Sequence, residues 1–235
     1  MSIRDNYLRI MEGIHSAAAE AGRDPGEVCL LAVTKFVDEA RIAQALDCGV
    51  TNCGENRAQE LAAKLPFFQS RGAELHLIGQ LQTNKVKYVI GNVKTIQSVD
   101  RPELAAEISR LAVKRGLTQS VLVEVNIGGE AQKGGVPPEG LEEFILTIAA
   151  MPGLRVEGLM CVPPAVGEEE ARAYFARMRR LFEDMAGKGL PNASMNTLSM
   201  GMSGDYRAAI AEGSTMVRIG SALFGARPRQ PGGGA

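Results

Sequence analysis

A regular alternation of short apolar runs and amphipathic segments constrains the fold of this chain more than any other feature. The clearest runs are residues 28–33, 75–78, 121–125 and 216–219. Short, continuous apolar runs of this kind are typical of strands buried on both faces. A segment with helical spacing follows each predicted strand, for example 56–65 after the second strand, at 50–53, and 84–90 after the third, at 75–78. We count eight strand–helix units preceded by one helix, which predicts a parallel sheet built from βαβ units.

The length fits one closed barrel. Eight units in about 200 residues correspond to a small (β/α)8 barrel. We therefore predict an α/β fold, a single TIM barrel with an extra N-terminal helix, over residues 1–226. The Gly- and Pro-containing tail, 227–235, is predicted to be disordered. An open doubly wound sheet is the alternative, but it would be expected to show GxGxxG after the first strand, and the sequence has none there.

Charge and composition exclude several classes of function. The chain has 26 Lys and Arg against 27 Asp and Glu, so no basic excess favours nucleic acid or an anionic membrane. Two histidines argue against a histidine-based metal centre, and no apolar run is long enough to cross a membrane. The four cysteines form no CxxC pair and no signal peptide is evident, so we expect reduced thiols in a cytoplasmic protein. No long exposed apolar stripe is evident, so we expect a monomer.

The first strand is followed directly by a lysine. Active sites of (β/α)8 barrels lie at the C-terminal ends of the strands, and Lys35 is at such an end in LLAVTK. Desolvation at the mouth of an apolar core lowers the pKa of an amine and makes it a nucleophile toward carbonyls. A surface lysine at a strand end is the alternative interpretation.

The loops after the last two strands favour an anion. They contain SMGMSGD and RIGSALFG, in which Ser203 and Ser221 offer hydroxyls and Gly201, Gly204 and Gly220 allow close backbone approach. The corresponding loops bind phosphate in many barrels. With Lys35 opposite, they indicate a phosphorylated carbonyl compound. Pyridoxal 5′-phosphate fits, and so does a sugar phosphate bound by a Schiff-base aldolase.

An arginine ends the eighth strand. A guanidinium donates hydrogen bonds but keeps its proton, so Arg218 facing a pyridine nitrogen would leave that nitrogen unprotonated and the cofactor a poor electron sink. An ion pair between Arg218 and a carboxylate such as Glu124 is the alternative.

These residues belong to stretches that resemble a known family. The stretches are LLAVTK, GVTNCGENRAQE, LHLIGQLQTNKVK, QSVD, VNIGGEAQKGG, GLMCVPP and LSMGMSGDYRAAIAEGSTMVRIGSALFG, between about residues 30 and 225. Together they resemble the pyridoxal phosphate homeostasis protein family, also called the proline synthase co-transcribed family. That family is similar in fold to the barrel domain of alanine racemase, a fold type III pyridoxal phosphate barrel.

The resemblance implies a set of site residues. It implies pyridoxal phosphate held as an internal aldimine on Lys35, with Arg218 by the pyridine nitrogen. The further cofactor-binding residues that it implies or that the loops indicate are Asn56, Met160, Met200, Gly201, Ser203, Gly220 and Ser221. Many members have a second lysine and a proline after the aldimine lysine, where this chain has the run Phe36-Val37-Asp38, and many have a tyrosine where Arg57 stands here.

The family implies cofactor binding in vitamin B6 homeostasis and amino-acid metabolism, without classical catalytic turnover and with apo forms of pyridoxal phosphate enzymes as recipients. An amino-acid racemase or decarboxylase-like enzyme is the alternative. A racemase needs a second base on the opposite cofactor face, which in alanine racemase is a tyrosine from a separate C-terminal domain. We expect this chain to end with its barrel and its tyrosines to lie on helices. We expect no catalytic residue and no metal ligand, His76 in the core, and Lys85 and Lys133 on solvated loops.

Overall fold

A computed structural model, which describes residues 2–130 and 132–225, confirms the closed parallel barrel. The strands are β1 (Cys29–Val33), β2 (Asn52–Glu55), β3 (Glu74–Leu77), β4 (Thr95–Val99), β5 (Gln119–Glu124), β6 (Leu154–Met160), β7 (Ala193–Met202) and β8 (Met216–Ile219). Each strand pairs in parallel with its neighbour in sequence, and β8 pairs with β1. The predicted disordered tail, 227–235, lies outside the described residues.

Helices surround the barrel in the described part of the chain. They are α1 (Ile3–Glu20), α2 (Glu39–Asp47), α3 (Ala58–Arg71), α4 (Val86–Val89), α5 (Pro102–Lys114), α6 (Leu141–Ala149), α7 (Glu168–Gly187), α8 (Tyr206–Ala211) and α9 (Ser221–Phe224). Three 3-10 turns, Pro25–Glu27, Thr83–Lys85 and Pro138–Gly140, join them. Within the described ranges, no helix is both long and apolar enough to cross a membrane.

Two helices differ from their predicted bounds. The helix expected at 56–65 begins at Ala58 and continues through Pro66 to Arg71, because Phe68 is buried against the barrel and Gly72 ends the helix at φ +64°. The segment expected to be a helix at 84–90 is instead a 3-10 turn followed by the single turn α4. In both places tertiary packing outweighs the local preference.

Closure of the ladder determines where the strand ends meet. Leu31 of β1 lies opposite Asn52 of β2 on one side and opposite Arg218 of β8 on the other. Parallel strands all end at the same rim of the barrel. The residues that follow β1, β2 and β8 are therefore neighbours, although they are far apart in sequence.

The N-terminal helix α1 completes the helical layer. It packs against α2, α8 and α9, and its residues Ile10 and Ile14 are buried. The Asn6 side chain donates a hydrogen bond to the carbonyl of Leu223 at 2.9 Å. Ser2 caps the helix through reciprocal hydrogen bonds with Asp5. This helix is thus an integral part of the barrel domain.

We expect Ile14→Ala to lower the free energy of unfolding by about 2–5 kcal/mol, because the substitution leaves a cavity beneath α1. Urea denaturation would measure it. Leu8→Ala in the same helix is the matched control; Leu8 is 55% exposed, so its loss should change stability by less than about 0.5 kcal/mol. Equal, small effects of the two substitutions would show that α1 is not part of the cooperative unit.

Candidate functional site

A cavity of about 440 Å³ opens at the C-terminal rim of the barrel. Such a volume is in the range of small-molecule sites, roughly 300–1,000 Å³. Six of the residues singled out in the sequence line it: Lys35, Asn56, Ser203, Arg218, Gly220 and Ser221. The closed ladder brings them together from the ends of β1, β2, β7 and β8.

Three of the expected site residues do not line this cavity. Met160 and Met200 are buried within the barrel wall, at 1% and 0% exposure. Gly201 has φ +90°, and a Cβ there would lie 2.5 Å from the Cβ of Ala209. The glycine therefore allows β7 to pack closely on α8.

Five further residues line the cavity: Val33, Ile78, Val162, Met202 and Gly204. Val33 and Ile78 lie at strand ends, so the rule that directed attention to Lys35 applies to them as well. Gly204 belongs to the loop SMGMSGD. Val162 and Met202 are each 37% exposed and lie at the rim.

The loop after β7 is tied to the start of α9. The Ser203 hydroxyl oxygen accepts hydrogen bonds from the backbone N–H groups of Gly220 and Ala222, each at 3.2 Å. We call Ser203, Gly204, Gly220 and Ser221 the glycine–serine cradle. Backbone N–H groups that converge on one oxygen form the geometry that also binds anionic oxygens.

Arg218 is 4% exposed and its guanidinium is held by two neutral partners. Nη1 donates to the hydroxyl of Ser199 and Nη2 to the carbonyl of Cys161, both at 2.8 Å. No carboxylate in the described ranges forms an ion pair with Arg218, so the ion pair with Glu124 considered from the sequence is not present. Burial lowers the pKa of Arg218, but a guanidinium stays protonated in proteins. The cavity thus has a positively charged wall.

A line of buried polar side chains continues from Arg218 through the barrel. Ser199 donates to Oε1 of Gln97 at 2.8 Å, and Nε2 of Gln97 lies 3.3 Å from Nδ1 of His76. Nε2 of His76 lies 3.0 Å from Oδ1 of Asn52. An amide oxygen can only accept, so the His76 proton is on Nε2 and Nδ1 accepts from Gln97. His76 is a satisfied core residue, as expected, and burial lowers its pKa to about 4.

Asn56, a residue of the cavity lining, carries an unsatisfied group. Its Oδ1 is buried and, within the described residues, has no hydrogen-bond partner. A buried amide oxygen without a donor is costly. A ligand that supplies a donor would relieve this cost.

Other candidate groups lie outside the cavity lining. Lys85 lies in a 3-10 turn beside the Tyr88 ring, and Lys133 pairs with Glu130. Burial raises the pKa of both the Cys53 and the Cys161 thiol to about 12, which makes them packing groups rather than nucleophiles. Across residues 2–130 and 132–225, no cluster of three or more His, Cys, Asp or Glu side chains could hold a metal ion.

Comparison with known proteins gives consistent matches. The profile of the family described as "Alanine racemase, N-terminal domain" matches residues 13–228. The pyridoxal phosphate homeostasis protein of Aquifex aeolicus is 44% identical over 230 residues, which cover 97% of this chain and 99% of that protein.

Solved structures agree with these matches. PipY of Synechococcus elongatus, solved with pyridoxal phosphate bound, is 31% identical with a TM-score of 0.78, covering 90% of this chain and 100% of that chain. An alanine racemase of Clostridium difficile is 19% identical, with a TM-score of 0.70. That match covers 95% of this chain and 57% of the racemase, so the two share the barrel fold.

The neutral His76 makes stability depend on pH. Its folded pKa, about 4, is below the ordinary value of 6.5, so the unfolded chain binds a proton that the folded chain refuses between these values. The stabilising contribution is complete above pH 6.5 and is lost as the pH falls toward 4. We expect wild type to lose about 3 kcal/mol over this window relative to His76→Gln.

Urea denaturation of both proteins at several pH values would measure this difference. The comparison with the variant is needed because Glu124 has the opposite pH dependence. Burial raises the pKa of Glu124 to about 7, so its contribution to folding stability is complete below about pH 4.5 and is lost as the pH rises through 7. Parallel stability curves for wild type and His76→Gln would contradict the assigned state of His76.

Proposed function

The chain belongs to the family of the alanine racemase N-terminal domain and, within it, to the pyridoxal phosphate homeostasis proteins; from this premise we propose that it binds pyridoxal 5′-phosphate and acts in vitamin B6 homeostasis. The observation that supports this best is the composition of the rim cavity that Lys35 and Arg218 line. It combines a lysine, an anion cradle, a buried arginine without a carboxylate partner among the described residues, and an unsatisfied amide oxygen.

The lining fits this cofactor part by part. Pyridoxal phosphate supplies an aldehyde that condenses with a primary amine, and it carries a phosphate and a pyridine nitrogen. Lys35 would hold the aldehyde end. The glycine–serine cradle would hold the phosphate through hydroxyl and backbone N–H donors. Asn56 would accept a hydrogen bond inside the cavity.

Arg218 favours cofactor holding over turnover. Two of its five N–H donors bind Ser199 and Cys161. We infer that a remaining donor faces the pyridine nitrogen. Because arginine keeps its proton, that nitrogen would stay unprotonated and would withdraw few electrons from a bound substrate.

The rest of the cavity lining also supports a non-catalytic role. Of the described residues that line it, Lys35 and Arg218 are the ionisable ones. Tyr7, Tyr88, Tyr174 and Tyr206 lie on α1, α4, α7 and α8 and do not line it. A racemase would need a second group placed to exchange a proton on the opposite cofactor face.

The rim is accessible, which suits release as well as binding. Ser221, Met202 and Val162 are exposed at the mouth of the cavity. We propose that the protein passes the cofactor to apo forms of pyridoxal phosphate enzymes and acts as a cytoplasmic monomer. Its four free cysteines are in keeping with a reducing compartment.

We expect Lys35→Ala to abolish the yellow absorption of the protein with pyridoxal phosphate and the borohydride-stable adduct, because no other amine lines the cavity within the described residues. Absorption spectra and peptide mapping of the reduced protein would measure this. Lys85→Ala is the matched control and should keep the adduct. An adduct retained on another lysine would refute the assignment, and conversion of L-alanine to D-alanine by wild type but not by Lys35→Ala would favour the racemase.

We expect Ser203→Ala combined with Ser221→Ala to raise the dissociation rate of pyridoxal phosphate at least about tenfold, because two hydrogen bonds to a charged group are lost. Stopped-flow transfer to a trapping reagent would measure the rate. Ser70→Ala, on the exposed face of α3, should leave it unchanged. Pyridoxal, which lacks the phosphate, should dissociate equally fast from wild type and double variant; a defect with pyridoxal as well would contradict a phosphate-specific role.

A further inference from the structure

The residue after Lys35 has an unusual backbone conformation. Phe36 has φ +61°, in the left-handed region. Bulky side chains are rarely found there, and when they are, the surrounding structure holds them in place. Phe36 is also 46% exposed, so burial of its ring does not explain the conformation. Some other interaction must fix the turn that carries Lys35.

A carboxylate from α3 supplies that interaction. Oε1 of Glu60 accepts a hydrogen bond from the backbone N–H of Phe36 at 2.7 Å. The same oxygen lies 2.8 Å from Nζ of Lys64, one helical turn further along α3. A charged acceptor makes a short and strong hydrogen bond. Glu60 thus fixes the peptide on the C-terminal side of Lys35.

Lys64 fixes the peptide on the N-terminal side. Its Nζ donates to the carbonyl of Thr34 at 2.9 Å, to Glu55 Oε1 at 2.9 Å and to Glu60. An ammonium has three donors, and all three are used. The Thr34 hydroxyl also donates to Glu55 Oε1, at 2.7 Å. The neighbours of Lys35 on both sides are therefore held by one connected group of charges.

This group is largely withdrawn from water. The Glu55 side chain is 0% exposed, that of Lys64 12% and that of Glu60 19%. Exposed ion pairs contribute little to stability. Buried ion pairs hold their geometry because breaking one leaves an unpaired charge in the protein interior. The arrangement is therefore built to resist movement of the turn.

We propose that Glu60 and Lys64, supported by Glu55, form a backbone clamp that positions Lys35 for covalent attachment of the cofactor. The inference rests on the proposed function, because it concerns how efficiently Lys35 reaches the aldehyde. None of the three clamp residues lines the cavity, so they act through the turn and are positioning residues.

The test separates attachment from binding. Attachment to Lys35 is followed by the rise of visible absorption after mixing with pyridoxal phosphate. Binding without attachment is measured with pyridoxine 5′-phosphate, in which an alcohol replaces the aldehyde. We expect Glu60→Ala to slow attachment by about tenfold or more while the affinity for pyridoxine 5′-phosphate stays within about twofold, because a small misplacement of a reacting group is costly.

Two further variants serve as controls for Glu60→Ala. Glu60→Gln keeps an oxygen that can accept from the N–H of Phe36, so it should restore most of the attachment rate. Glu183→Ala removes an exposed ion pair with Arg179 at the same helical spacing, on α7, and should attach the cofactor as wild type does. Attachment at the wild-type rate in Glu60→Ala would overturn the clamp, and so would equal losses of attachment and of pyridoxine 5′-phosphate binding.

A measurement on the wild-type protein covers the case in which Glu60→Ala does not fold. The Phe36 amide should exchange slowly with deuterium, since its N–H donates a hydrogen bond to Glu60; rapid exchange would overturn the clamp. The proposed function and the clamp can be refuted separately. A wild-type protein that forms no adduct on Lys35 refutes the proposed function, whereas a normal wild-type adduct with an unaffected Glu60→Ala refutes the clamp alone.

Discussion

The closed ladder of eight parallel strands is the constraint on which the rest of the structure depends. Hydrogen bonding between β8 and β1 brings Leu31 opposite Arg218 and makes the first and last strands neighbours. Because all strands end at the same rim, one cavity receives side chains from both ends of the sequence. Glycine at 158, where a Cβ would lie 1.9 Å from the carbonyl oxygen of Thr197, allows the ladder to close tightly.

The barrel accommodates two cations largely withdrawn from water, Arg218 and Lys64, because each is held by hydrogen bonds in its own way. Arg218 is held by a hydroxyl and a carbonyl and is connected through Gln97 to the neutral His76. Lys64 instead forms ion pairs with Glu55 and Glu60 beside the first strand. The first arrangement leaves a positive wall in the cavity; the second holds the turn that carries the lysine. Both depend on desolvation, which makes unpaired polar groups costly.

Much of this architecture was predictable from local patterns. Eight strand-like segments, each followed by a helical periodicity, predicted the barrel, and the strand-end rule together with family resemblance selected Lys35, Asn56, Ser203, Arg218, Gly220 and Ser221. The prediction missed Val33, Ile78 and Val162, which also line the cavity. It also placed Met160, Met200 and Gly201 in the binding set, whereas the structure places them outside the cavity lining. A sequence motif identifies the segment near the cavity, but the alternation of side chains along a strand decides which residue of that segment faces the cavity.

Local sequence patterns set the order of strands and helices, the position of the lysine after β1 and the glycine–serine composition of the last two loops. These are local properties, set by periodicity and by the conformational freedom of particular residue types. Three features became visible only in the folded barrel. Arg218 has neutral hydrogen-bond partners rather than Glu124, Pro66 lies inside α3, and Glu60 and Lys64 hold the turn around Lys35. Those outcomes depend on contacts between residues distant in the chain, whose energies are defined only once the closed barrel has excluded water from its interior.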